Sequence, residues 1–311
     1  MKDDLEVIAV VGPTASGKTA LSIALAKMID GEIINGDSTQ VYKGFSIGTA
    51  KITREEMDGV PHHLFDTLEP TTTYSVAEYQ HAVRTCIEEI RSRGKMPIIV
   101  GGTGLYVQAV LFDFRFTEEA GDERVRTRLE EELETEGADV LYERLVKLDP
   151  VSAEKIHPNN HRRLIRALEI IEVTGKTKDA HEQNKGHEEM YRHLIIGLEM
   201  DRDKLYDRIN RRTTLMMEEG FLQEVEQLLA AGYAETQPMG AIGYRELKQY
   251  IEGTLSYKMA VEGIRKSTRN YAKRQMTYFK NKMAIHWVQM EKGIPAILEE
   301  ISTVIKGFSK K

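Results

Sequence analysis

The stretch Gly12-Pro-Thr-Ala-Ser-Gly-Lys18-Thr19 constrains this chain more than any other feature. It fits the pattern G-x-x-x-x-G-K-[ST] and follows residues 5–11, a β-branched run that reads as a buried strand. Behind it Leu21, Ala24, Leu25 and Met28 fall at helical spacing. In a strand–loop–helix of this kind, glycines let backbone N–H groups turn inward around phosphate oxygens, and the helix N-terminus adds positive potential. Gly12, Thr14, Ala15, Ser16 and Gly17 would form the cradle, Lys18 would supply a point charge, and the Thr19 hydroxyl would be a ligand for Mg²⁺. The ligand implied has linked phosphates.

The flanking pattern sets the fold class. A second short strand at 32–34 runs into Asn35, Gly36 and Asp37. Ser75 with Glu78 makes a capping box, and Val76, Tyr79, Val83, Ile87 and Ile90 form one apolar face behind it. Residues 96–100 read as a third buried strand. Strand, helix, strand, helix, strand predicts an α/β fold: a P-loop NTPase-like parallel sheet core flanked by helices. From 114 to 190 the chain instead reads as helical, charged and without strands, an inserted all-helical subdomain. The apolar run in 191–200 returns to the sheet, long helices follow, and a last strand is placed around 284–288. The expected organisation is a discontinuous core, 1–113 plus 191–311, around an insertion at 114–190.

Composition matters at two points. A net charge of −6 argues at first against a nucleic-acid partner, but charge is segregated along the chain. Residues 118–136 hold nine acids and three arginines, whereas 265–282 hold seven Lys or Arg and no acid. The single cysteine, Cys86, rules out an intrachain disulfide or a CxxC zinc ribbon, and among Val83, Ile87 and Ile90 it reads as a small buried residue. No apolar run approaches the ~20 residues of a membrane span, and the N-terminus resembles no cleavable signal. A cytoplasmic monomer is expected.

The phosphate ligand is narrowed by a missing acid. A P-loop hydrolase offers an Asp at the end of a buried strand to hold Mg²⁺. Here the strand at 96–100 runs into Gly101-Gly102-Thr103-Gly104, and the acid near an early strand is Asp37. That weakens an ATPase reading and leaves a small-molecule kinase open. Asp37 itself reads equally as a general base, or as a helix cap or metal ligand. The adjacent His62 and His63 do not share a helical metal-binding face and read as a polar turn.

The chain also resembles a family. GPTASGKT (12–19), DSTQVY (37–42), GTAK (48–51), GVPHHL (59–64), GGTGLY (101–106), NHRRLIRALEI (160–170), GYRE (243–246) and AKRQMTYF (272–279) resemble, in order, the motifs of bacterial tRNA dimethylallyltransferases. The resemblance implies transfer of a dimethylallyl group from its pyrophosphate to N6 of the adenosine 3′ of the tRNA anticodon. The P-loop then holds pyrophosphate with Mg²⁺, and no ATP is needed. It also implies Asp37 as the general base, Thr103 as a contact to the target nucleotide, and an arginine on the leaving pyrophosphate. Arg208 and Arg211 are the candidates for that arginine, Arg211 with a catalytic role. Prenyl transfer to free adenine nucleotides is the near alternative.

The target base must leave the anticodon stack to react. Asp37, Ser38, Thr39, Gln40 and Thr103 offer donors and acceptors for its edges. Two basic helix faces would contact the RNA: Arg162, Arg163 and Arg166 in the insertion, and Arg265, Arg269, Lys273 and Arg274 near the C-terminal end, interleaved with Tyr271, Tyr278 and Phe279.

Overall fold

The computed structural model describes residues 5–114, 122–177 and 188–308. The chain divides into two compact units, Met1–Leu111 with Glu189–Lys311, and Phe112–Glu188. Parts of the acidic run at 118–136 and of the insertion at 114–190 lie outside the described residues.

The first unit is built on six parallel strands: β1 (Val7–Val11), β2 (Gly31–Asn35), β3 (His62–His63), β4 (Met96–Gly101), β5 (His193–Glu199) and β6 (His286–Gln289), in the order β3-β2-β4-β1-β5-β6. All five residues of β1 and of β2 are buried, as expected of strands covered on both faces. β1 sits between β4 and β5, and the chain leaves it toward β2 on one side and returns to it as β5 on the other. In an open parallel sheet the crevice beyond the carboxyl ends at such a reversal is where ligands bind.

Helices cover the sheet. α1 (Lys18–Ile29) begins at Gly17, whose φ of 100° is left-handed and suits glycine, and it buries Leu21, Leu25 and Ala26. α2 (Val76–Ser92) has the Ser75–Glu78 capping box in full and buries Tyr79, Val83, Ile87 and Ile90 of the apolar face read from sequence, together with Cys86, while Val76 is half-buried. α3 (Gly104–Leu111) continues from β4 through the glycine-rich turn.

After β5 come α8 (Arg202–Glu218), α9 (Phe221–Ala230), α10 (Tyr244–Ile251) and the 26-residue α11 (Tyr257–Lys282); α12 (Ile294–Phe308) follows β6. The residues beyond about 285 carried no functional reading in the sequence. They complete the fold instead: Ile297 and Ile301 of α12 are fully buried and join Leu21, Leu25, Ile196 and Val288 in one core cluster. Each such side chain contributes about 1.5–3 kcal/mol by leaving water.

The second unit packs α4 (Glu123–Glu136), α5 (Ala138–Leu148), α6 (Pro150–Lys155) and α7 (His161–Thr174) around Leu129, Leu141, Leu145, Leu164 and Leu168. In the described part of the acidic run Asp122, Glu123, Glu130, Glu131, Glu134 and Glu136 are exposed, a solvated helix face, while Glu132 faces Arg144 of α5. Glu132 and Glu172 each pair with both Arg128 and Arg144. Fully buried Glu169 takes Arg126 at 2.9 Å and Arg166 at 2.7 Å. A buried carboxylate needs such partners, so Arg166 is engaged within the protein, while Arg162 and Arg163 of α7 remain exposed.

The His62–His63 pair is a two-residue edge strand rather than a turn. His63 Nε2 lies 2.6 Å from Glu32 Oε2, which also accepts from Arg93 at 2.7 Å, and the two partners hold Glu32 below the usual carboxylate range.

Candidate active site

Four strand ends build one cavity of about 690 Å³. β1 leads into the phosphate loop, β2 into Asp37, β4 into the Gly101–Gly104 turn, and β5 through Asp201 into α8. Thr14, Ala15, Gly17, Lys18 and Thr19 line this cavity together with Asp37, Gln40, Arg208, Arg211 and Arg212.

In the phosphate loop, the Lys18 ammonium donates to the carbonyls of Gly12 at 3.1 Å and Pro13 at 2.7 Å. Burial, seconded by the Arg212 guanidinium, pulls the Lys18 pKa down to about 7, against the opposing pull of Asp37. The Ser16 hydroxyl is buried without a hydrogen-bond partner among the described residues.

Arg208 reaches over the loop: a Cβ on Gly17 would lie 3.7 Å from its Nη2. Arg212, which the sequence reading passed over, is the more deeply set of the helix arginines. It donates to the Thr14 hydroxyl at 3.4 Å, and burial holds its pKa below the usual guanidinium value while Asp37 opposes that. Arg211 lines the same cavity and, like Arg208, is exposed. Arg208 and Arg212 stand at i, i+4 on one face of α8, a spacing that could have marked Arg212.

Asp37 is held by a turn that Asn35 organises. The Asn35 side chain accepts the Asp37 N–H at 2.9 Å and donates to the carbonyls of Asp37 and Leu64 at 3.1 and 3.0 Å. Asp37 Oδ1 accepts the N–H and hydroxyl of Thr39 at 2.8 and 2.6 Å, which leaves Oδ2 without a partner among the described residues. One oxygen fixes the carboxylate and the other is available for a proton. Thr39 is therefore committed to Asp37 rather than to a ligand. Gln40 donates to the carbonyls of Thr49 and, more distantly, Ala50, which commits its amide to the neighbouring loop; Ser38 is half-buried.

Gln275 of α11 joins two site loops. Its Oε1 accepts the Thr14 N–H at 2.9 Å, and its Nε2 donates to the Gly102 carbonyl at 3.0 Å. A Cβ at Gly102 would lie 2.1 Å from that Nε2, so glycine is required for the approach. The Thr103 hydroxyl is buried, forms no well-aligned hydrogen bond, and lies beside the Tyr271 phenol, which burial pushes up to about 12. Within AKRQMTYF the sequence offered no means of telling this buried Gln275 from a surface residue.

The rest of the cavity is mixed: Ser46, Thr49, Lys51, Thr53, Glu56 and Glu219 line it beside a set of apolar side chains. Ile33, Ile47, Ile52, Phe65, Leu215 and Met216 line it, with His62, whose Nδ1 meets the Val60 carbonyl at 2.8 Å and whose pKa burial lowers. Lys18, Arg208, Arg211 and Arg212 beside the phosphate loop, the fixed Asp37 carboxylate and a group of apolar side chains suit an anion with a short hydrocarbon tail, although Glu56 and Glu219 also line the cavity.

On α11 the predicted basic face is split. Arg269 is taken up by Asn210 Oδ1 at 2.8 Å and Glu262 at 3.0 Å, and Arg265 by the Thr214 hydroxyl at 3.0 Å. Lys273 and Arg274 are exposed and line a second cavity of about 480 Å³ with Asn270, Thr277 and Tyr278; the Arg274 guanidinium stacks 5.7 Å from the Tyr271 ring centre.

Comparison with known proteins agrees with this chemistry. The family model for IPP transferase matches residues 40–282. The tRNA dimethylallyltransferase of Bacillus subtilis is 52% identical over 303 residues, covering 97% of this chain and 96% of the relative. That of Oceanobacillus iheyensis is 51% identical over 294 residues, covering 94% and 93%. The crystal structure of the tRNA isopentenylpyrophosphate transferase of Bacillus halodurans superposes with a TM-score of 0.74 at 45% identity, over 99% of each chain. A eukaryotic dimethylallyltransferase acting on tRNA superposes with a TM-score of 0.76 at 33% identity, over 92% of this chain and 74% of that one. With the family model spanning most of the sequence and relatives sharing half their residues along nearly its whole length, the chain belongs to the IPP transferase family of tRNA dimethylallyltransferases.

Proposed function

We propose that this protein transfers the dimethylallyl group of dimethylallyl pyrophosphate to the exocyclic N6 of the adenosine 3′ of the anticodon in tRNA, releasing pyrophosphate. The observation that carries the reading is that one cavity joins a phosphate loop, a carboxylate with one free oxygen and a group of apolar side chains.

The donor's pyrophosphate lies on the loop amides and its prenyl chain along Ile47, Ile52 and Phe65. The flipped adenine presents N6 to C1 of the donor; the N6–C1 bond forms as the C1–O bond breaks, and the N6 proton passes to Asp37 Oδ2. An exocyclic amine is a poor nucleophile because its lone pair is delocalised into the ring, so a positioned base matters. Charge developing on the leaving pyrophosphate is met by Lys18, Arg212 and Arg208.

No group of three or more His, Cys, Asp or Glu suited to a metal occurs among the described residues. The Thr19 hydroxyl on the cavity wall fits a Mg²⁺ held chiefly by the phosphates. When bound, the ion would offset the charge of the leaving group. Exposed Arg162, Arg163, Lys273 and Arg274 are the RNA-facing cations of this reading, which also places the protein in the cytoplasm as a monomer. No helix among the described residues is long and apolar enough to cross a membrane.

The test is mass spectrometry of unmodified tRNA incubated with the protein, dimethylallyl pyrophosphate and Mg²⁺, without ATP. A nucleoside heavier by one dimethylallyl group is the expected result. Turnover of AMP but not tRNA would overturn the acceptor, and phosphoryl transfer from ATP would overturn the reaction class.

A further inference from the structure

One wall of the cavity is loop rather than helix or strand. Residues 46–53 supply Ser46, Ile47, Thr49, Ala50, Lys51, Ile52 and Thr53 to it, all in turns or irregular backbone. Such a wall has no ladder to hold it, so its position rests on specific bonds to neighbouring side chains.

Gln40 holds the carbonyls of Thr49 and Ala50, and the buried Lys51 side chain reaches the Tyr42 carbonyl and Asp66, whereas residues 46–48 are held by one carboxylate. Glu224 of α9 accepts three successive backbone N–H groups, from Ser46 at 3.1 Å, Ile47 at 2.7 Å and Gly48 at 3.2 Å. The Tyr244 hydroxyl of α10 donates to the same carboxylate at 2.6 Å. Successive amides converging on one point form an anion-binding concavity, and here the protein's own side chain fills it. Bonds to an ionised acceptor are about twice as strong as neutral ones. Gly48 closes the contact: a Cβ there would lie 2.2 Å from the Phe221 ring and 2.5 Å from that of Tyr244. The same cavity is lined by Arg212, Leu215 and Met216 of α8, which is joined to α9 through Glu219 and Gly220.

We infer that Glu224 is a positioning residue for the donor: by clamping residues 46–48 onto α9 and α10 it fixes the distance between the loop wall and α8, and so limits the length of prenyl chain that the cavity accepts. This rests on the function proposed above. Ile47 sits directly in the clamp, so releasing Glu224 would let its part of the wall retreat, while Lys51 keeps its own anchors beside Ile52 and the phosphate loop and Asp37 keep theirs. Displacements of about 1 Å at such a wall are enough to change rates by ~10²-fold.

The experiment compares wild type, Glu224→Gln, Glu224→Ala and Tyr244→Phe, each checked by thermal unfolding, with dimethylallyl and geranyl pyrophosphate as donors and tRNA as acceptor. In Glu224→Ala the donor KM is expected to rise at least ~10-fold while the tRNA KM stays within about 2-fold, and the ratio of geranyl to dimethylallyl kcat/KM to rise at least ~5-fold. Glu224→Gln keeps one good acceptor oxygen and should fall between; Tyr244→Phe keeps all three amide bonds and should keep wild-type selectivity. A uniform fall in kcat with unchanged donor KM and unchanged chain-length ratio would overturn the inference, and if Glu224→Ala does not fold, Glu224→Gln decides it by the same ratio. Absence of any transfer by the wild type would overturn the proposed function and this inference with it, whereas normal wild-type transfer with unaltered variants overturns the inference alone.

Discussion

Raising the pH from 7 to 9 should weaken donor binding about 50-fold, through Lys18 alone. In the ligand-free site its pKa is pulled down to about 7, first by burial and then by Arg212. A bound pyrophosphate adds several negative charges beside the ammonium and returns that pKa toward the ordinary lysine value, above about 10, so that the complex stays protonated through pH 9. The sign follows from the two states: the complex holds a proton on Lys18 that the free protein loses above pH 7, so binding takes up a proton there and affinity falls as pH rises. About half of the free molecules carry the charge at pH 7 and about one in a hundred at pH 9, which sets the 50-fold loss, or roughly 2 kcal/mol. The donor contributes little to this slope, because the last ionisation of a phosphate lies near pH 6 and is about nine-tenths complete by pH 7.

The assay is isothermal titration calorimetry of dimethylallyl pyrophosphate at half-unit intervals from pH 6 to 9.5, in two buffers of different ionisation enthalpy to count the protons taken up. Arg212→Gln removes the second cause of the depressed pKa and should move the break in affinity to higher pH. Lys18→Met should bind weakly with a flat profile between pH 7 and 9. A flat wild-type profile, or the same break in Lys18→Met, would refute the reasoning.

Three further outcomes are expected. Asp37→Asn should leave tRNA binding intact in a gel-shift assay and slow single-turnover transfer by at least ~10²-fold; wild-type turnover would remove Asp37 from proton transfer. Gln275→Leu leaves the Thr14 N–H and the Gly102 carbonyl without their partner, at about 1–3 kcal/mol per orphaned group, so its melting temperature should drop by several degrees; an unchanged melting curve would mean that water replaces the amide. The double variant Lys273→Gln, Arg274→Gln should flatten the salt dependence of tRNA binding by about two counterions, whereas Arg269→Gln, whose native side chain is tied to Asn210 and Glu262, should change it little. Equal slopes in the two proteins would contradict the division of α11 described here.

Much of the fold was legible because its signals are local. The phosphate loop needs a fixed residue pattern between a strand and a helix, β1, β2 and β4 are short apolar runs between turn residues, and the Ser75–Glu78 box is a contact three residues long. These depend on neighbours in sequence, so sequence reveals them. The two-residue β3 and the role of α12 did not show, because each is defined by what packs against it: β2 beside one, α1 and the sheet beside the other.

The site divides in the same way. The sequence by itself determined a phosphate-loop pattern at Gly12–Thr19 and, through its ordered motifs, which family the chain belongs to. Only the tertiary structure decided which charges remain available. Arg166, Arg265 and Arg269 look identical in sequence to Lys273 and Arg274 as basic helix positions, yet the first three meet internal partners and the last two face solvent. The same holds for Arg212 against Arg211, for Gln275 and for Glu224, whose partners lie from 173 to 261 positions away along the chain in the contacts that define them. The physical reason is that burial and pairing over such separations are properties of the packed chain, and a side chain's charge state and reach are set by burial and pairing rather than by its identity.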